Sequence, residues 1–316
     1  MTIQDVASLA QQIQTEVEKA IVGKSHTVET SVCTLLCEGH LLIEDVPGVG
    51  KTTLAKALAK AIGGEFRRIQ FTPDLLPSDI TGSSIYDQGK REFEFRPGPL
   101  FANVVLVDEV NRATPKTQSA LLEAMEEQQV STDGVSRALP DPFFVLATQN
   151  NIEMTGTFPL PEAQLDRFFA RVQLGYPDRK EESEVLGRQR TENPIESVKA
   201  VISLGELVDA QQAVRNVFVH ESVREYCVDI VRATRESGQL QLGSSPRGSL
   251  YLMHAAQGLA AMKGQDFVKP DHVKECAPFV LGHRLILRGE ARSRGTSGDE
   301  VVRHLLTTVA VPATVG

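Results

Sequence analysis

Residues 40–63, HLLIEDVPGVGKTTLAKALAKAIG, limit what this chain can fold into more than any other stretch. The apolar run at 41–43 predicts a buried strand, a glycine-containing loop follows it, and an amphipathic helix begins near Lys51. Loop glycines let backbone N–H groups surround an anion, and the amino end of the helix adds partial positive charge. The segment therefore predicts a phosphate-binding loop made of Pro47, Gly48, Val49, Gly50, Lys51, Thr52 and Thr53.

One position of this loop departs from the strict pattern. G-x-x-x-x-G-K-[ST] places its first glycine at position 45, where this chain has Asp45. A surface turn containing Gly and Lys is the other interpretation. We favour the phosphate loop because a predicted strand precedes it, a predicted helix follows it, and a second polar cluster lies downstream. Lys51 is then the candidate contact to the outer phosphates.

Residues 101–109, FANVVLVDE, contain an apolar run that ends in Asp108 and Glu109. Such a run is typical of a strand covered on both faces, and open α/β sheets carry their chemistry at the carboxyl ends of strands. Neighbouring strand residues point to opposite sides, so the two acids should have different roles. Asp108 would hold Mg²⁺ directly or through water, and Glu109 would polarise an attacking water. The next apolar strand leads to Asn150, whose amide could orient that water or simply form a turn.

The composition is that of an ordinary globular protein. The 316 residues are 41% apolar and 23% charged, with no Trp, so the core must be mainly aliphatic. No apolar run approaches the roughly 18 residues that span a bilayer, and the N-terminal segment lacks a signal-peptide pattern, which predicts a cytoplasmic protein. The net charge of −8 argues against a broad nucleic-acid footprint.

Strand and helix patterns divide the chain near residue 176. Five parallel strands are predicted before this point, and almost only helices after it. Hairpin inserts are predicted near 84–96 and 130–139, the second around the turn pair Asp133-Gly134. The expected organisation is an αβα nucleotide-binding core at 1–176, followed by an all-helical domain at 177–316.

Two further residues are candidates for nucleotide contact. Gly23 ends an apolar segment just upstream of the phosphate loop, which could pack against a base or form a turn between helices. Arg247 falls in the first turn of a predicted helix, where a cation opposes the helix dipole at a cost of about 0.3–1 kcal/mol. A bound phosphate would reverse that penalty. A solvent-facing arginine with a small cost is the alternative.

Together these segments resemble the MoxR family of AAA+ ATPases, and the likeness covers nearly the whole chain. It is carried by DVPGVGKT (45–52), LVDEVNRA (106–113), ATQN (147–150), GTFPLPEAQLDRF (156–168) and SPRGSL (245–250). The resemblance implies an α/β fold with a five-stranded parallel-sheet P-loop AAA+ core, two hairpin inserts and an all-helical lid. It also implies a homo-oligomeric ring of six subunits with ATP or ADP and Mg²⁺ at the subunit interfaces.

The resemblance also implies roles for individual residues. These are Lys51 as the Walker A lysine, Thr52 as the Mg²⁺-binding hydroxyl, Asp108 and Glu109 as the Walker B pair, Asn150 as sensor 1, Arg247 as sensor 2, Arg167 as the arginine finger that completes a neighbour's site, and Gly23 as part of the base-binding segment.

The function implied by the family is Mg-dependent ATP hydrolysis that drives chaperone-like remodelling, maturation or activation of partner proteins. Proteins bearing von Willebrand factor A domains are the implied partners, with no nucleic acid and no membrane span. Hydrolysis is expected to rotate the lid against the core. Three alternatives stay open. They are the ATPase subunit of a chelatase-type metal-insertion complex, a small-molecule kinase, and a nucleic-acid motor with a basic lining of Arg67, Arg68, Lys90, Arg91 and Arg137.

Overall fold

A five-stranded parallel sheet lies at the centre of the computed structural model, which describes residues 1–150, 156–189 and 193–312. The strands along the chain are β1 Leu41–Glu44, β2 Phe66–Gln70, β3 Gly82–Asp87, β4 Glu92–Pro97, β5 Val104–Asp108, β6 Gln129–Thr132, β7 Val135–Ala138, β8 Phe144–Gln149, β9 Ala170–Val172, β10 Leu240–Leu242 and β11 Ile286–Leu287. The sheet has the order β2-β5-β8-β1-β9, and each neighbouring pair is parallel. The predicted α/β class with five parallel strands is confirmed.

Both expected hairpins are present as antiparallel pairs outside this sheet. In the first, β3 pairs with β4 and sets Tyr86 opposite Phe93. In the second, β6 pairs with β7, and Gly134 adopts a φ of +76° in the turn. The hairpins meet where the Arg137 guanidinium lies 3.9 Å from the centre of the Phe95 ring.

Helices cover the sheet and form the rest of the chain. They are α1 Ile3–Glu18, α2 Ser25–Leu36, α3 Lys51–Ala61, α4 Pro77–Thr81, α5 Pro115–Glu127, α6 Glu162–Leu165, α7 Arg179–Gln189, α8 Pro194–Ser197, α9 Leu204–Arg215, α10 Glu221–Glu236, α11 Pro246–Met262, α12 Pro270–Leu281, α13 Gly289–Ser293 and α14 Gly298–Thr308, with 3-10 turns at Val110–Arg112 and Gly282–Arg284. In the part of the chain that the structure describes, no helix combines the length and apolar character needed to cross a membrane.

The central strands are buried on both faces because alternate residues enter two separate cores. Leu41 and Leu106 belong to the core that contains α3, whereas Leu42 and Val107 belong to the core that contains α5. This two-sided burial explains why β5 has a continuous apolar sequence instead of an alternating one.

The C-terminal helices share a core with the first two helices of the chain. Side chains of α1, α2, α9, α10, α11 and α12 form one continuous apolar cluster. A Cβ on Gly258 of α11 would lie 2.5 Å from Cys37 Sγ and 3.0 Å from Cys33 Sγ, so only glycine permits this close approach to α2. The predicted boundary near residue 176 stays a prediction, since α1 and α2 pack against helices on its other side.

The C-terminal part contains one short antiparallel pair in addition to its helices. Leu240 of β10 lies opposite Leu287 of β11. An all-helical lid was expected, and this pair was missed because strands of two or three residues are too short to show alternation.

His40, which immediately precedes β1, predicts a dependence of stability on pH. Its Nδ1 accepts a bond from Val145 N at 3.1 Å, and its Nε2 lies 3.0 Å from Met125 O. Burial lowers the pKa of His40 from 6.5 to about 4. In the unfolded chain His40 becomes protonated below about pH 6.5, whereas in the folded protein it stays neutral until about pH 4. The free energy of unfolding therefore decreases as the pH is lowered through this range.

We expect His40 to cost about 2 kcal/mol of unfolding free energy between pH 7 and pH 5. In a His40→Gln variant, which retains a donor and an acceptor, this part of the loss should disappear. Urea denaturation at both pH values measures it, with the exposed His304→Gln as control. An unchanged difference between the two pH values in His40→Gln would contradict the assignment.

Candidate nucleotide site

The parallel sheet brings three predicted functional segments to one edge. β1, β8 and β5 are consecutive neighbours, and their carboxyl ends lead into the phosphate loop, Asn150 and Glu109 respectively. Glu44 lies opposite Gln149 in the register, so the start of the loop is beside the residue that precedes Asn150. We call this the carboxyl edge.

The phosphate loop has the backbone shape that its glycines predict. Gly48 and Gly50 have φ values of +86° and +97°, in the region where L side chains are strained. A Cβ on Gly48 would meet no atom within 4 Å, so the loop is open on that side. Gly50 is the N-cap of α3, whose first turn contains Lys51, Thr52 and the partly exposed Thr53. Pro47 is exposed, and Val49 packs against the apolar core.

The ammonium group of Lys51 is hydrogen-bonded to the backbone of its own loop. Its Nζ donates to the Asp45 carbonyl oxygen at 2.6 Å. Burial lowers the pKa of Lys51, and the nearby carboxylates of Asp45, Asp108 and Glu109 oppose that shift. A partly desolvated ammonium in a glycine loop that is open beside Gly48 fits a site for a polyanion such as a nucleotide phosphate.

Asp45 has a structural role that a glycine could not supply. Its Oδ2 accepts bonds from Leu174 N at 2.6 Å and Gly175 N at 2.7 Å, and its Oδ1 accepts from Val46 N at 2.8 Å. The carboxylate thus connects the start of the phosphate loop to the segment that leaves β9. The departure from the strict pattern is therefore a cross-link between two parts of the carboxyl edge.

Asp108 is buried at the end of β5, with 8% of its surface exposed. Its Oδ2 accepts a bond from Arg68 Nε at 2.6 Å, and its Oδ1 accepts from Thr148 Oγ1 at 3.3 Å. The same Thr148 hydroxyl accepts from Glu109 N at 2.9 Å. Thr148 therefore links both acids to β8.

Glu109 follows the last residue of β5 and does not continue the strand geometry. Its φ of +57° is unusual for a residue with a side chain. The carboxylate Oε2 accepts from Gln70 Nε2 and from Arg112 Nη1, each at 2.8 Å. Strained backbone of this kind is often found at functional sites.

The oxygen atoms at this edge suit Mg²⁺. Magnesium is usually bound through one or two carboxylates plus substrate phosphates, with water completing the octahedron. Asp108 and the Thr52 hydroxyl are oxygen donors of this kind, and the Asp108 carboxylate is now compensated by a cation, Arg68. Among the described residues no cluster of three or more His, Cys, Asp or Glu could hold a metal by itself. The residues therefore fit an ion whose other ligands are phosphates and water.

The segment containing Gly23 lies against the phosphate loop. Ile21 Cδ1 would be 3.8 Å from a Cβ placed on Gly50. Gly23 has a φ of +71°, and a Cβ on it would overlap the Glu181 side chain at the start of α7. Lys24 Nζ pairs with Glu181 Oε2 at 3.3 Å. The structure thus brings Gly23 to the carboxyl edge with the loop.

Arg167 and Arg247 lie elsewhere. Phe169 N donates to His40 O, so the segment carrying Arg167 is at the amino edge of the sheet, where β1 and β9 begin. Both arginines and His40 line one cavity of about 160 Å³. Across the four residues of β1, this edge is about 13 Å from the phosphate loop.

The expectation that Arg247 contacts a phosphate stays a prediction, and the structure pairs its guanidinium with a carboxylate of the chain itself. The anion beside its guanidinium is Glu126, whose Oε1 lies 2.5 Å from Arg247 Nη2. The start of α11 is fixed at the amino edge because Ser245 Oγ, its N-cap, donates to Asp166 Oδ2 at 2.9 Å. This arginine therefore lies at the edge of the sheet opposite the chain's own phosphate loop.

Sequence reasoning missed the residues that hold the acid pair. Arg68 was considered only for the basic lining of a nucleic-acid motor, and Gln70 and Thr148 were given no role. The parallel pairing of β2 with β5 sets Gln70 opposite Asp108. The sequence does show polar residues near the carboxyl ends of these strands. Their contacts with the two acids cannot be inferred, however, until the order of the strands in the sheet is known.

The fold and the carboxyl edge define a P-loop ATPase of the AAA+ class. The chain is 45% identical over 306 residues to Chaperone MoxR1 of Mycobacterium tuberculosis, covering 94% of this chain and 81% of that protein. It is 52% identical over 296 residues to the Uncharacterized protein YeaC of Bacillus subtilis, covering 94% and 92%. The chain belongs to the MoxR family of AAA+ ATPases.

Family profiles and a solved structure agree with this assignment. A profile described as "ATPase family associated with various cellular activities (AAA)" matches residues 40–170, and one described as "AAA lid domain" matches residues 232–305. The structure of a proposed ATPase from Cytophaga hutchinsonii superposes with a TM-score of 0.91 at 38% identity, covering 98% of this chain and 97% of that one. The lid that follows the core is thus a recognised AAA lid.

Proposed function

We propose that the chain hydrolyses ATP as a subunit of a closed ring, with each nucleotide held between two copies. One observation carries the proposal. The phosphate loop and acid pair lie at one edge of the sheet, whereas Arg167 and Arg247 lie at the opposite edge. In a head-to-tail ring two different surfaces of neighbouring copies meet, and here the amino edge of one subunit would face the carboxyl edge of the next. Six copies are the number implied by the family.

The chain's own residues would divide the work at such an interface. Lys51 would leave the Asp45 carbonyl and donate to the outer phosphates, and the loop N–H groups would surround them. Glu109 would accept a proton from the attacking water, which Asn150 would orient. Arg167 and Arg247 of the neighbour would compensate charge on the terminal phosphate. Gly23 and its segment would contact the base.

Asp108 and Thr52 would hold Mg²⁺. The ion, when bound, neutralises charge on the phosphate oxygens. Arg68 donates to Asp108 Oδ2 at 2.6 Å, so it would have to share this carboxylate or exchange with the ion. The Thr148 hydroxyl would keep the carboxylate oriented during the exchange.

We further propose that the ring remodels or activates partner proteins. The support is the likeness to Chaperone MoxR1, which is 45% identical. Partners with von Willebrand factor A domains follow from the family alone. A chelatase-type complex would use the same chemistry and differ only in its client, and a kinase would require an acceptor for the phosphate.

Charge pairing does not favour the nucleic-acid alternative. Arg67 pairs with Glu65 and Lys90 with Glu94, while Arg68 is bound to Asp108. Arg137 lies over the Phe95 ring. Most of the proposed basic lining is therefore already compensated.

Lys51→Ala tests the phosphate-loop assignment. Loss of a charge-assisted contact to phosphate should weaken ATP binding about 100-fold, which calorimetry with ATP and Mg²⁺ would measure. Lys56→Ala is the matched control, since Lys56 is an exposed lysine of the same helix. Binding in Lys51→Ala that equals the control would overturn the assignment.

Phosphate released to water by the unmodified chain, without any acceptor, would argue against a kinase.

A further inference from the structure

Glu126 lies between the two arginines that the proposed ring would donate to a neighbour. Its Oε2 is 3.1 Å from Arg167 Nη2, and its Oε1 is 2.5 Å from Arg247 Nη2. One carboxylate thus joins a residue just before β9 in the core to a residue in the first turn of α11 in the lid. Between 31% and 36% of each of the three side chains is exposed, so a ligand could reach them from outside.

The positions of Glu126 and Arg247 at helix ends suggest a role other than stabilising the fold. Glu126 is in the last turn of α5 and Arg247 is in the first turn of α11. Each has the charge that the helix dipole disfavours at that end. Ion pairs with this much exposure contribute little to folding. Stability alone therefore does not explain why Glu126 and Arg247 both occupy unfavourable helix ends. A functional need for two arginine side chains close together explains it better.

The backbones of both arginines are already fixed by other bonds. Asp166, next to Arg167, accepts from Ser245 Oγ at 2.9 Å and from Arg284 Nε at 3.0 Å. Ser245 Oγ in turn accepts from Arg247 N at 3.1 Å. These contacts do not involve the guanidinium group of either arginine. Among the described residues, Glu126 is the only carboxylate that forms an ion pair with either guanidinium.

We propose that Glu126 is a positioning residue that holds the Arg167 and Arg247 guanidinium groups side by side for the neighbouring subunit's nucleotide. Without a carboxylate between them, the two cations repel each other and their side chains regain rotamer freedom. Glu126 removes the repulsion and restricts both side chains before the interface forms. The inference rests on the proposed function, because only a shared interface gives these arginines a phosphate.

Glu126→Gln tests the proposal with a side chain of nearly the same shape. Small displacements of a positioned group can reduce rates about 100-fold, so we expect kcat to fall about 10- to 100-fold while KM for ATP changes less than about twofold. Glu127→Gln is the matched control, since it makes the same change one residue away on the exposed side of α5. The control should retain full turnover.

A mixing experiment separates positioning from damage. Glu126→Gln subunits have intact loops, and Lys51→Ala subunits have intact arginines, so an equal mixture should regain turnover that neither variant has alone. Failure of this mixture, or an increase of kcat in Glu126→Gln, would overturn the positioning role. So would normal turnover in Glu126→Gln.

The proposed function has its own control in the same assay. An equal mixture of Arg167→Ala and Lys51→Ala subunits should regain turnover whatever Glu126 does. If that mixture recovers while Glu126→Gln behaves like Glu127→Gln, the shared site stands and the role of Glu126 is excluded. If that mixture stays inactive, the shared site itself is excluded, and the proposal for Glu126 with it.

Discussion

Arg167→Ala is expected to bind ATP normally and to lose about 10³-fold or more in kcat, as removal of other arginine fingers does. The physical reason is that phosphoryl transfer spreads charge over the terminal oxygens, and a guanidinium donated there stabilises that charge. The nucleotide's own phosphate loop is untouched, because Arg167 is at the amino edge of the sheet and Lys51 is beyond the carboxyl edge. ATP calorimetry and steady-state phosphate release measure the two quantities.

The decisive form of this experiment uses mixed rings. In an equal mixture with Lys51→Ala subunits, about a quarter of the interfaces combine an intact loop with an intact arginine, if subunits assemble at random. Turnover should recover toward that fraction. Arg224→Ala removes an exposed arginine of α10 and is the matched control, which should keep full turnover. If the mixture is no more active than its components, Arg167 does not act on a neighbour's nucleotide.

The sheet could be predicted because its strands are buried on both faces. Burial on both sides gives β5 and β8 continuous apolar runs, which stand out in the sequence. The order of the strands then places Asp108, Glu109 and the phosphate loop at one edge by geometry alone. β10 and β11 offered no such signal, because they are too short to show a pattern.

The ion pairs of the site could not be predicted, since they join residues far apart in the chain. Arg247 meets Glu126 across 121 positions, and Asp45 meets Leu174 across 129. The position of Arg247 in the first turn of a helix favours a nearby anion. The identity of that anion depends on where the lid packs, which no local pattern contains.

Contacts between the lid and the core restrict the ways in which the lid could move during hydrolysis. The start of α11 is bound to the arginine-bearing segment through Ser245 and Asp166, and the buried Arg284 donates to Asp166 as well. Burial lowers the pKa of Arg284 to about 10, although the Asp166 carboxylate opposes the shift. Rotation of the lid against its own core would have to break these bonds. Movement of the lid together with its own amino edge, relative to the neighbouring subunit, would not.

Glu109→Gln should bind ATP with near-normal affinity and lose about 10²- to 10⁴-fold in kcat, the range for removal of a general base. Glutamine keeps the size of the side chain and an oxygen that can accept from Gln70 Nε2 or Arg112 Nη1, as Glu109 Oε2 does at 2.8 Å. It cannot take a proton from water. The expected loss is therefore in the chemical step, and single-turnover phosphate release measures it directly.

The matched control for this substitution is Glu123→Gln, which removes an exposed carboxylate on α5 and should leave kcat unchanged.

A second comparison concerns Gln70 and Arg112, the two donors to the Glu109 carboxylate. They hold the Glu109 carboxylate beside β2, so a water placed for attack must compete with two donors for the same oxygen. Gln70→Ala should then alter kcat far less than Glu109→Gln does, because it removes a donor and keeps the base. Turnover in Glu109→Gln close to that of Glu123→Gln would show that another group accepts the proton.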